Sequence, residues 1–565
     1  MRKPWLLHYP EGVPAEIDAS GIASLADMLD QACIRHASLP ALTFMGRSLT
    51  YAELDRYSAA VAAWLQGLGL AQGSRVALMM PNTLVNMVAF LGVVRAGMVV
   101  VNVNPLYSAE ELEHQLDDCG ADVIFIFESS LATLDQVSVE RRPGHVVAVR
   151  VGDLMGAKGG VINFVVRHVK RMVPSYQIRG VVPFVQVLRQ GRSRQWVRPE
   201  HDLDAVAVLQ YTGGTTGVPK GAMLTHRNLV SNVLQIDAVA RPVLGDERGR
   251  GMVIMTALPL YHVFAMTVCG LFAAHAGMRS VLIADPRRLD TVVAAWRRNP
   301  VHIFPSVNTL FNALVNTPQF LALDFSGLRL CFGGGAAVQR AVADKWQRAT
   351  GRPIIEGYGL TESSPVAIVN PTNSDSYSGD IGFPLPSTDV VVLDDHDRPL
   401  PAGETGELAI RGPQVMKGYW RRQDETELAF TPEGFLRTGD IAVISEQGRV
   451  RIVDRKKDMI LVSGFNVYPN EVEQVVARHP GVLECVAVGA PSAESGEMVK
   501  LYVVRKDPGL TQEALRDWCA GHLTPYKRPH VIVFRSELPK SNTGKILRRV
   551  LRDEAEGQSD GAART

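Results

Sequence analysis

Helix-forming and strand-forming segments alternate along the first quarter of the chain, and this alternation constrains the fold most strongly. The pattern predicts one helix after a capping box that begins at Thr50 and another after a similar box at Ser108. Residues 75–80, 98–103 and 122–127 are short apolar runs that are typical of buried strands. Such alternation predicts a parallel sheet with helices on its faces, which is an α/β fold.

The predicted pattern of helices and strands changes twice in the rest of the chain. Residues 205–356 return to the α/β alternation, whereas short β segments and turns follow residue 379 and predict a β-rich subdomain. After about residue 455, we expect a small α+β unit that ends in a disordered polar tail from Gly557 onward.

Composition indicates a globular protein of the reduced cytosol. The 565 residues are 46% hydrophobic and 21% charged, and a net charge of +1 gives no overall field that would attract nucleic acid. The six cysteines form no Cys-x-x-Cys pair, which argues against a disulfide framework or a zinc site. The N-terminus lacks the apolar run of a signal peptide, and we expect a cytoplasmic protein.

One segment departs from this charge balance. Residues 154–199 contain nine lysines or arginines and no acidic residue, interleaved with large apolar side chains. A basic amphipathic segment can lie on an anionic surface, which would give peripheral contact with the cytoplasmic face of the inner membrane. The alternative, which the sequence favours somewhat, is a pair of solvated helices packed on the main body.

Residues 211–221, Tyr-Thr-Gly-Gly-Thr-Thr-Gly-Val-Pro-Lys-Gly, predict a phosphate-binding loop. Glycines let successive backbone N–H groups point into one concavity, while threonine hydroxyls and Lys220 add donors and positive charge. A buried strand precedes the loop and a helix is expected from Thr225, so the loop lies at a strand end, where ligands usually bind. A surface turn is the alternative, and the spacing is not that of the usual NTPase phosphate loop.

A second motif, at residues 356–362, places glycines beside an aromatic ring, a hydroxyl and a carboxylate. Tyr358 can stack on a purine, Thr361 can donate to a phosphate, and Glu362 offers a hard oxygen to Mg²⁺. Residues 333–336, Gly-Gly-Gly-Ala, are a weak dinucleotide fingerprint but can lie against a flat base.

Two further groups complete the set of candidates. Asp440 and Arg455 suit a ribose, because a carboxylate accepts from both hydroxyls and a guanidinium can support them, although Gly-Asp is also a routine turn. Lys545 lies in a basic, glycine-containing loop near the C-terminus, for which a solvated charge cluster is the alternative.

In their order along the chain, these motifs resemble those of adenylate-forming enzymes, the superfamily of acyl-CoA synthetases, adenylation domains and luciferases. The resemblance covers nearly the whole chain. Residues 258–264, 357–365, 454–469 and 538–549 look most like bacterial long-chain fatty acid–CoA ligases. The resemblance implies activation of a fatty acid by ATP to acyl-AMP, with Mg²⁺ as cofactor, followed by transfer to the thiol of coenzyme A.

The same resemblance implies the domain organisation. A large N-terminal adenylation domain, made of α/β subdomains with a β-rich part at about residues 380–455, would span residues 1–455. A small, mobile α+β C-terminal domain would span residues 456–565 and carry the catalytic lysine. Rotation about a hinge at Lys457 would remove that lysine and bring Gly464 to the path of coenzyme A.

Individual roles also follow from the resemblance. The groups that would contact the ATP phosphates come from both motifs: Tyr211, Thr212, Gly213, Gly214, Thr215, Thr216, Gly217, Lys220 and Thr361. The groups that would flank adenine come from the glycine run and the second motif: Gly335, Ala336, Glu356, Gly357 and Tyr358. The ribose would be held by Asp440 and Arg455.

The reacting centre is implied in the same way. The residues expected to be catalytic are Lys545, His262 and Lys220. The residues expected to bind Mg²⁺ are Thr212 and Glu362. The residues expected at the acyl pocket are His262 and Phe264.

Several alternatives stay open at this point. The chain could be a ligase for medium-chain or aryl acids, a ligase that loads a carrier protein, or a luciferase-type oxygenase on the same fold. A nucleotide or fatty-acid sensor is a non-enzymatic alternative, against which the complete set of charged motif residues argues. The sequence determines neither the preferred chain length nor whether the chain forms a homodimer.

Overall fold

The computed structural model describes residues 2–200, 202–212, 219–247, 249–492, 495–541 and 544–562, with side chains as far as Ala555. The strands in these residues are β1 Pro40–Phe44, β2 Arg47–Thr50, β3 Arg75–Met79, β4 Val99–Val103, β5 Val123–Phe127, β6 His145–Val149, β7 Val182–Pro183, β8 Val206–Thr212, β9 Lys220–Thr225, β10 Val253–Thr256, β11 Arg279–Leu282, β12 Ile303–Ser306, β13 Leu330–Gly333, β14 Ile355–Gly359, β15 Val366–Val369, β16 Phe383–Pro384, β17 Asp389–Leu393, β18 Thr405–Arg411, β19 Leu436–Ile444, β20 Val450–Arg455, β21 Ile460–Val462, β22 Phe465–Val467, β23 Val482–Ser492, β24 Gly496–Arg505 and β25 Val531–Arg535.

The helices of the described residues connect and cover these strands. They are α1 Leu25–Arg35, α2 Tyr51–Gln66, α3 Leu84–Arg95, α4 Ala109–Cys119, α5 Leu131–Leu134, α6 Lys158–Phe164, α7 Phe184–Arg192, α8 His226–Leu244, α9 Val263–Ala265, α10 Ala273–His275, α11 Leu289–Arg298, α12 Asn308–Val315, α13 Pro318–Leu321, α14 Arg340–Thr350, α15 Gln423–Ala429, α16 Pro469–Val476, α17 Gln512–His522 and α18 Arg548–Ala562. A π-helical segment, Met266–Phe272, joins α9 to α10.

Two large, mainly parallel sheets carry the first two-thirds of the chain. One has the order β7-β6-β5-β3-β4-β8-β9, and the other has the order β16-β15-β14-β13-β12-β10-β11-β1-β2. Helix α3 lies between them and is buried along its whole length, as expected for a helix enclosed by two layers. The predicted α/β fold is therefore confirmed.

Two smaller sheets follow. Strands β17, β18, β19 and β20 form an antiparallel sheet, which confirms the predicted β-rich region. Strands β21 to β25 form the last sheet, which α16 and α17 cover through a hydrophobic cluster that includes Val472 and Leu515. The predicted α+β unit after residue 455 is present.

The local predictions agree closely with these elements, with two exceptions. Both capping boxes form, at Thr50 with Glu53 and at Ser108 with Glu111. The sequence missed β9, because Lys220 and the residues after it were taken as the end of a loop. The expectation of a disordered tail from Gly557 is wrong as far as Ala562, where the backbone continues α18.

The basic segment packs on the main body as two helical stretches. Gly159 of α6 contacts Gly152, where an added Cβ would lie 2.1 Å from the carbonyl oxygen of Gly152, and Gly191 of α7 contacts Ala60 of α2 in the same way. The segment is thus helical in these two stretches, and its contact with a membrane stays a prediction. Among the residues that the structure describes, no helix combines the length and apolar character needed to cross a bilayer.

Candidate active site

The predicted phosphate loop joins two antiparallel strands. Thr212 at the end of β8 lies opposite Lys220 at the start of β9, and residues 213–218 lie outside the described part of the chain. The predictions for Gly213, Gly214, Thr215, Thr216 and Gly217 therefore stay predictions. Thr212 and Lys220, between which the loop runs, lie at the carboxyl edge of the parallel strands, because β8 runs parallel to β4.

Lys220 is held next to the second motif. Its ammonium forms an ion pair with Glu425 and lies 5.1 Å from the centre of the Tyr419 ring. The hydroxyl of Tyr419 in turn donates to Oε1 of Glu362, at 2.8 Å. Tyr419 thus joins the two motifs, and the sequence missed it because it belongs to neither.

Tyr211, on β8 of the hairpin, is held by a hydrogen bond to α4. Its side chain is buried, and its hydroxyl donates to Oδ2 of Asp118, at 2.5 Å. Burial, followed by nearby charges and this bond, raises the pKa of Tyr211 well above its usual value. While it is bonded to Asp118, this hydroxyl has no proton to donate to a phosphate, so the predicted role of Tyr211 is not supported for its side chain.

The glycine run after β13 brings three parts of the chain close together. Gly335 has a φ of +77°, and a Cβ added to it would lie 3.0 Å from Cε of Lys545. A Cβ added to Gly334 would lie 3.3 Å from Cε1 of Phe264. Gly335 and Ala336 are exposed at this strand end, so their backbone is open to a ligand.

Glu356 holds the segment that follows the glycine run by hydrogen bonds. Its buried carboxylate accepts from the N–H of Val338, at 2.9 Å, and from the hydroxyl of Tyr377, at 2.9 Å. Burial raises the pKa of Glu356 to about 7. The carboxylate is committed to these partners, and the structure therefore gives the side chain a supporting position instead of the predicted contact with adenine.

Tyr358 links the second motif to the predicted ribose site. Its hydroxyl donates to Oδ2 of Asp440, at 2.5 Å, and Nε of Arg455 lies 3.4 Å from Oδ1 of the same carboxylate. Asp440 on β19 lies directly opposite Arg455 on β20. Sheet register thus brings together the two residues that were chosen for ribose binding, and burial raises the pKa of Asp440.

Thr361 and Glu362 follow Tyr358 in a short 3₁₀ turn, Thr361–Ser363. Gly357 precedes Tyr358 on β14 and pairs with Val369 on β15. The described residues contain no group of three or more His, Cys, Asp and Glu that could hold a metal ion. One carboxylate and one hydroxyl, those of Glu362 and Thr212, nevertheless suit Mg²⁺, which takes its other ligands from substrate phosphates and water.

Lys545 enters this site from the small C-terminal unit. The carbonyl oxygen of the preceding residue, Gly544, accepts from Oγ1 of Thr309 on α12, at 2.9 Å. Burial, reinforced by the charge of Arg455 and opposed by Asp440, lowers the pKa of Lys545 to about 8. Among the carboxylates that the structure describes, none forms an ion pair with this ammonium, which therefore suits an anionic substrate group.

His262 lies beside the same lysine. Burial, with a smaller contribution from the charge of Lys545, lowers the pKa of His262 to about 3, so its imidazole is neutral at pH 7. Its Nδ1 accepts from the N–H of Phe264 at the start of the helix, at 3.3 Å. His262, Phe264, Gly335 and Lys545 therefore form one corner of the site.

The two residues predicted to serve domain movement lie on connecting segments. Lys457 follows β20, and its carbonyl oxygen accepts from Nη1 of Arg552, at 3.2 Å. Gly464, with a φ of +82°, and Ser463, with a φ of +50°, form the exposed turn between β21 and β22. In this conformation Lys545, and not the turn at Gly464, is the part of the small unit that lies in the site.

Comparison with known proteins agrees with this arrangement. A family model described as AMP-binding enzyme matches residues 29–420, and a second, described as AMP-binding enzyme C-terminal domain, matches residues 471–545. The chain therefore belongs to the AMP-binding enzyme family.

Curated relatives are more specific. The chain is 52% identical, over 565 residues and 100% of both chains, to a protein of an Escherichia coli strain named long-chain-fatty-acid–CoA ligase. Proteins of the same name are 53% identical over 556 residues in Yersinia pestis and 35% identical over 560 residues in Bacillus subtilis, with 98% of each chain covered. A solved structure of the anthranilate CoA ligase AuaEII in complex with anthranoyl-AMP has a TM-score of 0.84 at 26% identity, covering 95% of this chain and 98% of that chain.

Proposed function

We propose that this protein is a long-chain fatty acid–CoA ligase that forms acyl-AMP and then acyl-CoA. The observation that carries the proposal is the placement of Lys545 against Gly335, close to the Asp440–Arg455 pair and to His262. Full-length identity of 52% to a relative named for this activity supports the same conclusion.

In the first step, a carboxylate oxygen of the fatty acid attacks the α-phosphorus of ATP. The new P–O bond gives acyl-AMP, and the bond to the bridging oxygen breaks and releases pyrophosphate. The pKa of Lys545 is about 8, so at lower pH the side chain is an ammonium. This charge can hold the carboxylate and the α-phosphate together as negative charge develops between them. Neutral His262 can donate to the acyl carboxylate without competing as a second cation.

Around this centre, the other motif residues would orient the nucleotide. Thr212, Lys220 and Thr361 would contact the phosphates, and Asp440 with Arg455 would hold the ribose. When bound, Mg²⁺ would neutralise the phosphates, with Thr212 and Glu362 as its protein ligands. The exposed backbone of Gly335 and Ala336, with Gly357 and Tyr358, would flank adenine.

In the second step, the sulfur of coenzyme A attacks the acyl carbon, and the bond between that carbon and the AMP oxygen breaks. We infer that residues 456–565 rotate about Lys457 as a domain relative to residues 1–455. That rotation would withdraw Lys545 and bring the turn at Gly464 to the path of coenzyme A. A turn with two positive φ values and no neighbouring atom within 4 Å of the Gly464 Cβ position has room to approach a narrow ligand.

The first test is acid-dependent AMP release. Purified protein with ATP, Mg²⁺, coenzyme A and a long-chain fatty acid should give stoichiometric AMP and acyl-CoA. Preference for a medium-chain or aryl acid, or transfer to a carrier protein without coenzyme A, would replace the proposed substrate by an alternative. Absence of AMP with every acid, despite ATP binding, would favour a sensor and overturn the proposal.

We further propose that a basic apolar surface on α6 and the residues after it contacts the inner membrane from the cytoplasmic side. Val161 and Phe164 are 66% and 59% exposed, and Val169 and Met172 are also exposed beside Lys170 and Arg171. Exposed apolar side chains flanked by cations match the charge and polarity of an anionic lipid surface.

The position of this surface suits a lipid substrate. Strand β6, which leads to α6, runs parallel with β5, β3, β4 and β8, so α6 follows the same edge of the sheet that carries the phosphate hairpin. Flotation with phosphatidylglycerol vesicles should fall for Phe164→Glu and stay unchanged for Leu428→Glu, which alters an even more exposed apolar side chain on α15. Equal binding by the wild type and Phe164→Glu would contradict the proposed surface.

A further inference from the structure

The loop that carries His262 has little regular structure of its own. It connects the end of β10 at Thr256 to the helix that begins at Val263, and Leu258 and Leu260 within it are buried. Buried backbone N–H and C=O groups must find partners, and outside helices and strands these are often side chains. Two buried amide side chains supply them here.

Asn82 holds the first half of the loop. Its Nδ2 donates to the carbonyl oxygens of Thr256, at 3.1 Å, and Leu258, at 2.9 Å. Its Oδ1 accepts from the N–H of Leu260, at 2.8 Å. The side chain is buried, so these bonds are shielded from water.

Gln210 holds the second half. Its Nε2 donates to the carbonyl oxygen of Tyr261, at 2.9 Å, which belongs to the peptide bond that links Tyr261 to His262. Its Oε1 accepts from Nδ2 of Asn102, at 2.9 Å, and this bond directs the donor end of the amide towards Tyr261. Both Gln210 and Asn102 are buried.

Gln210 also lies two residues before Thr212 on β8, the strand that leads into the phosphate hairpin. One short stretch of strand therefore bears both the phosphate loop and the side chain that fixes the peptide next to His262. On one side of His262, the Gln210–Tyr261 bond ties the loop to β8, and on the other side Phe264 packs on Gly334. These two contacts therefore set the distance between the expected sites for the acyl carboxylate and for the ATP phosphates.

We propose that Gln210 is a positioning residue for the first half-reaction, which holds His262 at the acyl carboxylate through the Tyr261 carbonyl, with Asn102 orienting its amide. This inference rests on the proposed ligase function. Loss of the bond should let His262 shift, and a shift of about 1 Å at a reacting centre can lower the rate by two orders of magnitude. The effect should appear in the parameters of the acid and not in those of ATP.

The test uses acid-dependent pyrophosphate exchange by the full chain, which isolates acyl-AMP formation. Gln210→Glu keeps the size of the side chain and its acceptor for Asn102, and while its carboxyl is ionised it has no proton to donate to Tyr261. We expect the KM for the fatty acid to rise about tenfold, the size expected for one lost buried hydrogen bond. We expect kcat to fall at least as much, while the KM for ATP stays within about twofold.

Gln235→Glu is a matched control. Gln235 is also a buried glutamine whose amide donates to a backbone carbonyl, that of Pro386 at 2.7 Å, and none of its hydrogen bonds to the described residues reaches the His262 loop. This variant should lose stability without raising the KM for the acid. A similar rise in that KM for both variants, or an equal rise in the KM for ATP for Gln210→Glu, would overturn the proposal.

Asn102→Ala provides a second variant if Gln210→Glu does not fold. It removes the bond that directs the Gln210 amide without burying a charge, and it should raise the KM for the acid in the same direction. An unchanged KM for the acid would again overturn the proposal. If the wild type itself shows no acid-dependent exchange, the proposed function fails. If the wild type is active and Gln210→Glu or Asn102→Ala has the same KM for the acid, only the positioning role is overturned.

Discussion

Lys545 and Gly335, which are separated by 210 positions in the sequence, lie so close that a Cβ on Gly335 would be 3.0 Å from Cε of Lys545. Under the proposed function, this placement of the small C-terminal unit is the one expected to serve acyl-AMP formation. Removal of this lysine should affect only the step for which that orientation is needed.

Lys545→Ala should lower the rate of acyl-AMP formation by ~10²–10³, by analogy with the loss of one well-placed donor to a developing charge. Conversion of supplied acyl-AMP and coenzyme A to acyl-CoA should stay near the wild-type rate, because the proposed rotation withdraws Lys545 before that step. The two half-reactions would be measured separately. An equal loss in both would contradict the rotation about Lys457.

The first half-reaction should lose rate as pH rises through about 8. Burial lowers the pKa of Lys545 from 10.5 to about 8, and the charged form is the one that holds the substrate anions. The relevant quantity is kcat/KM for the fatty acid, which reports ionisations of the free enzyme. The ammonium is present below this pKa and lost above it, so an alkaline limb with a midpoint well above pH 10 would show that another group controls the rate.

Gly335→Ala should impair acyl-AMP formation through both space and backbone strain. A Cβ at this position would meet Lys545, and a φ of +77° is unfavourable for alanine by roughly 1–2 kcal/mol. Gly403→Ala is the matched control, because Gly403 has a φ of +86° and nothing within 4 Å of its Cβ position. Both variants should lose similar stability, but only Gly335→Ala should lose about tenfold or more in pyrophosphate exchange.

Arg548→Met should destabilise the small unit more at pH 8 than at pH 5. Arg548 is partly buried and pairs with the buried carboxylate of Glu473, with Nη1 2.7 Å from Oε1. Burial raises the pKa of Glu473 from 4.5 to about 7, so the wild-type pair is charged at pH 8, and removing its cation should cost about 3–5 kcal/mol. At pH 5 Glu473 is protonated in the folded state, and the loss should be smaller.

Thermal unfolding at the two pH values would measure this difference. Arg549→Met is the neighbouring control, because Arg549 forms an exposed i,i+4 pair with Asp553 and its loss should cost less than about 1 kcal/mol at either pH. An Arg548→Met loss that is independent of pH would contradict the assigned protonation of Glu473.

Local signals in the sequence were sufficient for much of the fold. Both capping boxes form as predicted, and the apolar runs at residues 75–80, 98–103 and 122–127 contain β3, β4 and β5. Such features depend on residues three or four positions apart, so their physical cause is contained in a short stretch of chain. Strand β9 was missed because it forms by pairing with β8, and its composition is that of a loop.

The candidate site was only partly predictable. Asp440 and Arg455, the two residues chosen for the ribose, do lie next to each other in the structure. Their contact depends on the register of β19 against β20, which the sequence does not show. Glu356 carries the right chemistry for a ligand contact, but its carboxylate bonds to Val338 and Tyr377 instead. No motif indicated Tyr419, Asn82 or Gln210, because their partners lie far away in the sequence.

The sequence by itself determined the α/β class, the order of the motifs and the identity of the charged groups, because these follow from local periodicity and side-chain chemistry. Tertiary structure alone decided which of those groups meet. Lys545 contacts Gly335, and Gln210 bonds to Tyr261, only because the packed sheets bring distant segments of the chain together. Burial at those contacts then sets the pKa of Lys545 and of His262, and hence the charge that each can offer to a substrate.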